Sequence, residues 1–225
     1  MIRASRSILP CCLAVLAVAG GAVAATTPGT DGADTIVGTA RADRLDALKG
    51  NDVVYGLGGA DLIDGGPGND MLIGDGSCPA DATQAYYCIG SGGAGGDTIL
   101  GGSGNDRVTA GAGEDRVEGE AGDDRISGGG GSDRLRGASG DDAVTGGAQG
   151  DSIAGGSGRD DLDGGSGRDR ISGGGGRDVI TGGAGNDVID ARDGEKDAVG
   201  CGPGRDRLKA DAKDVARGCE KVSRR

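Results

Sequence analysis

Between Gly155 and Asp190 the chain reads GGSGRDDLD, GGSGRDRIS, GGGGRDVIT and GGAGNDVID, four versions of one nine-residue pattern. Self-similarity at a fixed period is the sequence signature of a solenoid, in which each repeat buries its apolar side only against its neighbours. The register extends well beyond these four. Units begin at residues 29, 38, 47, 56 and 65, and eleven more run in phase from 92 to 190, sixteen in all. Every unit has aspartate at position 6 and Ile, Leu or Val at position 8; glycine fills position 1 in fourteen and position 4 in fourteen. With 53 glycines, three tyrosines and no Phe, Trp or His, the alternative is a disordered, low-complexity acid. Such a chain has no physical reason to hold phase over this length.

The unit dictates its own shape. Positions 1 to 6, glycine-rich and ending in aspartate, predict a turn that uses positive φ and close backbone approach. Positions 7 to 9, such as RIS, VIT and VID, predict a three-residue strand with its middle side chain inward. Two nonapeptides then close one coil of 18 residues, and coils stack as parallel strands. The expected fold is all-β: a parallel β-roll, or β-solenoid, with two nonapeptides per coil.

In that stack the aspartates form two rows. One holds Asp34, Asp52, Asp70, Asp106, Asp124, Asp142, Asp160 and Asp178; the other holds Asp43, Asp61, Asp97, Asp115, Asp133, Asp151, Asp169 and Asp187. Carboxylates spaced at the strand repeat, roughly 5 Å, repel by about 3 kcal/mol per neighbouring pair at an effective dielectric near 20. A hard cation between turns converts that repulsion into ligation, and an all-oxygen donor set suits calcium, in multiple ions. Interior Asp133, between Asp115 and Asp151, is expected to serve two ion sites, and Asp34 at the start of its row only one.

The pattern G-G-x-G-x-D-x-U-x resembles the calcium-binding nonapeptide of the RTX family, also called hemolysin-type repeats, from Gly29 to Asp190. The resemblance implies calcium held between turns by the position-6 aspartates and by carbonyls such as those of Gly156, Gly158, Gly174 and Gly176. Several units depart from it. Position 2 is glycine in only ten, and Arg41 and Gln149 replace glycine at position 4, so these turns are expected to bind weakly or to act as capping coils. Arg44, Arg107, Arg116, Arg125, Arg134 and Arg170 at position 7 are expected on the outer strand face.

The flanks have their own signals. Residues 1–24 carry Arg3 and Arg6, an apolar run from Ile8 to Val23 and the small-residue end Ala22-Val23-Ala24, which predicts a signal peptide cleaved before Ala25 and a secreted, extracellular protein. The run is short for a membrane anchor, Cys11 precedes it and so is no lipoprotein anchor, and no later segment could span a membrane. Cleavage takes the formal net charge from −12 to −14. An acid of that strength attracts cations and repels nucleic acid and anionic lipid. Four cysteines remain and, in an exported chain without histidine or a CxxC, pair as disulfides Cys78–Cys88 and Cys201–Cys219. Residues 74–91 break the pattern and predict an extruded loop within a roll spanning 25–190. Residues 191–225, shifted by one residue and ending basic, predict a disulfide-closed cap, in which Asp206 is a candidate ligand of a final ion.

No histidine, nucleotide-binding pattern or EF-hand loop accompanies the repeats, and only a few residues separate the leader from the first nonapeptide, so no catalytic domain is expected. The reading is a secreted calcium-binding repeat protein that folds on binding calcium. Its rivals are a calcium-dependent adhesin or surface-matrix spacer and an accessory module of a polysaccharide-acting enzyme; no protein or glycan partner is written in the sequence. The cysteine pairing is directly testable: peptide mapping of the non-reduced protein should link Cys78 to Cys88 and Cys201 to Cys219, and cross-links between the pairs would refute local staples.

Overall fold

The computed structural model describes residues 26–75 and 95–224. The 1–24 leader, the Cys78–Cys88 pair and nearly all of the 74–91 insert lie outside them. Every described element is a β-strand. The cause is visible at position 8, where each aliphatic from Ile36 to Ile189 is at most 3% exposed while its strand neighbours face outward. A side chain buried every nine residues, flanked by outward ones, fits a pleated strand and not a helix.

Successive strands alternate between two parallel sheets. Among the described residues, eleven strands from Thr26–Thr30 to Lys221–Arg224 form one sheet and ten from Thr35–Val37 to Val215–Arg217 form the other, with the short strand Ala184–Gly185 beside Asp161–Gly167. Pairing is between residues 18 apart: Arg125 with Ala143, Arg134 with Ser152. The fold is therefore a parallel β-solenoid with two nonapeptides per coil. Its core is the two files of position-8 side chains, one from each sheet, together with small residues such as Ala47 and Ala110. All six position-7 arginines lie exposed on the outer face.

The strands are longer than expected. Most interior ones run six residues, over positions 7 to 3, as in Arg125–Gly130, and the turn is confined to positions 4 to 6. The ladder pairs Ser127 with Thr145 and resumes at Gly129 with Gly147, passing over position 1. Glycine thus bends the strand at position 1 without ending it, because positions 2 and 3 still find backbone partners one coil away.

Two irregularities are absorbed without loss of stacking. Leu62 pairs with Thr98 and Met71 with Arg107, each 36 residues on, so the coils on either side of the insert sit directly on one another. Beyond Asp190 both ladders continue: Ile189 pairs with Leu208 and Ile180 with Val199, 19 apart, and Leu208 pairs with Val222, 14 apart. The 191–224 segment thus forms further coils, first one residue longer than the repeat and then shorter. Cys201 and Cys219 are bonded, with Cα atoms 5.1 Å apart and one coil length, 18 residues, between them.

At five of the non-glycine residues in positions 2 and 4 the backbone keeps the glycine conformation, though not at Thr30, Thr39 or Arg41. Leu48, Leu57, Glu120 and Ala138 at position 2 and Gln149 at position 4 all have φ between 71° and 92°. A non-glycine residue held there costs about 1–3 kcal/mol. Ala138→Gly should therefore stabilise the folded protein by about 1 kcal/mol after the extra unfolded-state entropy of glycine is subtracted. Gly158→Ala, whose new Cβ would lie 2.0 Å from the Gly140 carbonyl oxygen, should cost about 3 kcal/mol or more. Thermal melting of both variants checks the opposite signs.

Candidate metal centre

The alternation of strands between two sheets sorts the position-6 aspartates into the two rows anticipated from the period. Each is turned inward: from Asp43 to Asp187 all are at most 4% exposed, and only Asp34, at the start of its row, is part-exposed. A hydrogen bond links every neighbouring pair. The backbone N–H of Asp34 donates to Oδ1 of Asp52, that of Asp52 to Asp70, and then across the insert to Asp106. The other row runs likewise from Asp43 through Asp61 to Asp97 and upward. These bonds measure 2.7–3.1 Å along both rows. Beyond Asp34 and Asp43, one oxygen of each carboxylate thus serves the turn of the preceding coil.

The second oxygen has no such use. Oδ2 of every row aspartate from Asp52 to Asp187 is buried and without a hydrogen-bond partner. It points into the space where the position-1 glycine lacks a side chain. A Cβ on Gly155 would lie 2.2 Å from Asp160 Oδ2 and 2.6 Å from the Gly173 carbonyl oxygen of the next coil. The same pair of oxygens flanks Gly128, with Asp133 Oδ2 at 2.4 Å and the Gly146 oxygen at 2.7 Å. The carbonyls anticipated as ligands also face along the stack, since the Gly156 and Gly158 oxygens come within 2.0 and 1.7 Å of where Gly174 and Gly176 would carry Cβ. The position-1 carbonyl beside the carboxylate was not anticipated.

The row ends differ from the interior. Asp34 Oδ2 accepts from the Thr30 N–H and hydroxyl, and Asp43 Oδ2 from the Thr39 N–H and hydroxyl. Both threonines sit at position 2, where interior units mostly have glycine. At the far end the rows continue past the anticipated set: Asp178 N–H donates to Asp197, Asp187 N–H to Asp206, Asp197 N–H to Asp214, and Asp206 N–H to Glu220. Asp197 and Asp214 escaped sequence reasoning because the one-residue shift hides them from a strict nine-residue frame. Asp75, where the chain leaves for the insert, was missed too; its Oδ1 is buried and unpartnered, and its charge bears on Asp61, Asp97 and Asp115.

A second ladder lies outside the first, at position 5. Asn69 N–H donates back to Asn51 Oδ1, Asn105 to Asn69, Asp123 to Asn105, Asp141 to Asp123 and Arg159 to Asp141. The two ladders run oppositely: position 6 donates forward along the stack and position 5 backward. The signal was present as Asn or Asp at position 5 in alternate units, overlooked beside the stronger position 6.

Electrostatically the rows are under stress. Burial pushes Asp61 and Asp97 up to about 7 and Asp106, Asp124, Asp142 and Asp160 up to about 6. The hydrogen bond from the preceding N–H offsets part of this, and neighbouring carboxylates add to it. Among the described residues the ion pairs use Asp31, Glu118 and Asp190, none of them in the rows. Among those residues, too, no three carboxylate or thiol side chains gather at one point. An ion held here therefore draws on row carboxylates and backbone carbonyls. Buried, unpartnered carboxylate oxygens beside inward carbonyls are hard donors, and they fit calcium.

A parallel β-solenoid with two inward aspartate rows defines the class. The family model for the RTX calcium-binding nonapeptide repeat matches the chain in overlapping segments covering residues 28–76 and 91–195. The chain belongs to that family. Comparison with curated proteins gives no match. The solved structure of a hyperactive, Ca2+-dependent, β-helical antifreeze protein from an Antarctic bacterium is similar over 87% of this chain and 83% of that one, at 20% identity and a TM-score of 0.36.

The raised carboxyls set a pH dependence. Between the ordinary aspartate value of 3.8 and the folded values of about 6 to 7, the metal-free fold binds more protons than the unfolded chain. Proton-linked stability is therefore fully present below the unfolded value and lost as pH rises through about 6 to 7. In chelator, far-UV circular dichroism should show more β structure at about pH 5 than at about pH 8. Calcium affinity should move the other way, falling as protons take up the same oxygens.

Proposed function

We propose that this chain is an exported calcium-binding β-roll without catalytic activity, in which multiple ions bound between stacked turns drive folding. The carrying observation is the pair of rows of buried carboxylate oxygens that nothing among the described residues satisfies. A buried charge without a partner is costly, and repeating that cost in every coil makes a solenoid with so thin a core depend on a countercharge. Bound calcium supplies that charge. The protein's own residues do the rest. Position-6 aspartates from Asp52 to Asp187 each present one oxygen, and position-1 glycines keep the space beside it open. Position-8 aliphatics fix the turns at a constant spacing, so the same site recurs coil after coil. Asp34 and Asp43 enter with Oδ2 already taken by threonine. The leader-like residues 1–24 and the formed Cys201–Cys219 disulfide both support an oxidising, extracellular setting.

Interior aspartates were expected to serve two ions each. With Oδ1 engaged by an N–H, Asp133 has one oxygen to give. Asp133→Asn should therefore lower the bound calcium by about one ion, since the amide still accepts the Asp115 N–H but loses the charge. The folding claim is tested by titrating the mature protein with calcium while following circular dichroism and heat. The expected result is a cooperative gain of β structure with calcium and a poor one with magnesium, which demands tighter octahedral geometry. A full β spectrum in chelator at neutral pH would refute it.

A further inference from the structure

We infer that the metal rows run one coil beyond the nonapeptide repeats, through Asp197 and Asp206, and that the Cys201–Cys219 disulfide holds the last site in shape. The inference rests on the calcium reading above and extends it to a segment the repeat pattern does not reach, since the matched repeats end at residue 195.

Asp197 and Asp206 share every feature that marks the interior sites. Each is 1% exposed. Each uses Oδ1 to accept an N–H from the preceding row member, 2.9 Å from Asp178 and 2.9 Å from Asp187. Each has a buried Oδ2 without a partner. The extra residue that throws Asp197 out of phase is taken up before it, among the exposed residues 192–196, so its carboxyl arrives in the row in full register. The residues that open these two units are Ala191 and Cys201, not glycine, yet this does not close the site. Ala47 and Ala110 open the units of Asp52 and Asp115, are wholly buried, and leave those Oδ2 atoms equally unpartnered.

The protein also marks where each row stops. Asp214 takes the Asp197 N–H with Oδ1, but its Oδ2 accepts from Asp211 N–H at 2.6 Å. Glu220 takes the Asp206 N–H with Oε2 at 2.7 Å and is solvent-exposed. Thr30 and Thr39 do the equivalent at the other end. The unpartnered oxygens are thus bounded on both sides by internal donors or by solvent. They number eight in each row, from Asp52 to Asp197 and from Asp61 to Asp206.

Cys219 adjoins Glu220, and Cys201 opens the unit that carries Asp206. Their bond ties the terminating glutamate to the last aspartate across one coil, beside the Cys201 N–H to Arg217 carbonyl bond of 3.0 Å. The cysteines are positioning residues for the Asp206 site.

The test counts bound calcium in the full exported chain at saturating calcium, with circular dichroism verifying that each variant folds. Asp197→Asn and Asp206→Asn should each lose about one ion, matching Asp133→Asn, because asparagine keeps the Oδ1 acceptor and removes the charged ligand. Full wild-type stoichiometry in both variants, with loss in Asp133→Asn, would end the rows at the repeats and overturn the inference. A wild-type protein that binds no calcium would instead sink the calcium reading itself. Cys201→Ser with Cys219→Ser should weaken one ion by about tenfold, and in the Asp206→Asn background, where that ion is already lost, the same pair of changes should weaken none of the remaining ions, since both act on one site. Independent, additive losses would overturn the role of the disulfide; the Asp197 and Asp206 single variants, with the disulfide intact, keep the row extension testable should that variant fray.

Discussion

The whole stack hangs on the hydrogen bond between an aspartate N–H and the carboxylate of the aspartate one coil further on. It joins consecutive turns at the corner, where strand pairing gives out, and it pulls each carboxyl group indoors. A charged group drawn inside for its ability to accept one hydrogen bond brings a second oxygen with it. In the interior coils that second oxygen has no donor among the described residues, which leaves it open to a cation. The structural link and the proposed ligand are therefore two oxygens of one side chain.

The remaining regularities follow from accommodating that side chain. Position 1 must be small because Asp Oδ2 occupies the space a side chain would take; even alanine is used only twice among the sixteen units. Position 4 must let two turns approach until the carbonyl of one faces the α-carbon of the next. At the turns from Asn51 to Arg159 the opposed ladders at positions 5 and 6 then satisfy the turn's N–H groups from both directions, one by the coil before and one by the coil after. Position 8 contributes apolar burial, a single aliphatic per nonapeptide in each of the two files.

Much of this was legible because a strict period converts directly into geometry. Two nonapeptides per coil, the membership of both aspartate rows from Asp34 to Asp187, the inward aliphatics, the outward arginines and the Cys201–Cys219 pair follow from counting alone. What escaped was whatever depended on who donates to whom. Nothing in a period says that a strand bends at glycine and carries on for two more residues, or that Thr30 and Thr39 satisfy the oxygens that are left unpartnered in the interior coils. The Asx ladder at position 5 was hidden because asparagine, aspartate and arginine alternate there, and only the Oδ1 of the first two matters. Asp197 and Asp214 were hidden by a frame shift that the chain absorbs in a surface bend, where an extra residue costs little, while the row itself stays in line.

The insert after Asp75 shows what the stacking makes easy. Leu62 meets Thr98 and Met71 meets Arg107 as though nothing stood between them. The contacts that matter run along the axis, from coil to coil, and not along the chain at the corner where the segment departs. A corner of this kind is a mounting point. Sequence of unrelated composition can be exchanged there while the scaffold beneath keeps its register, so the roll can hold a variable segment at a fixed height on a rod whose length is set by counting coils.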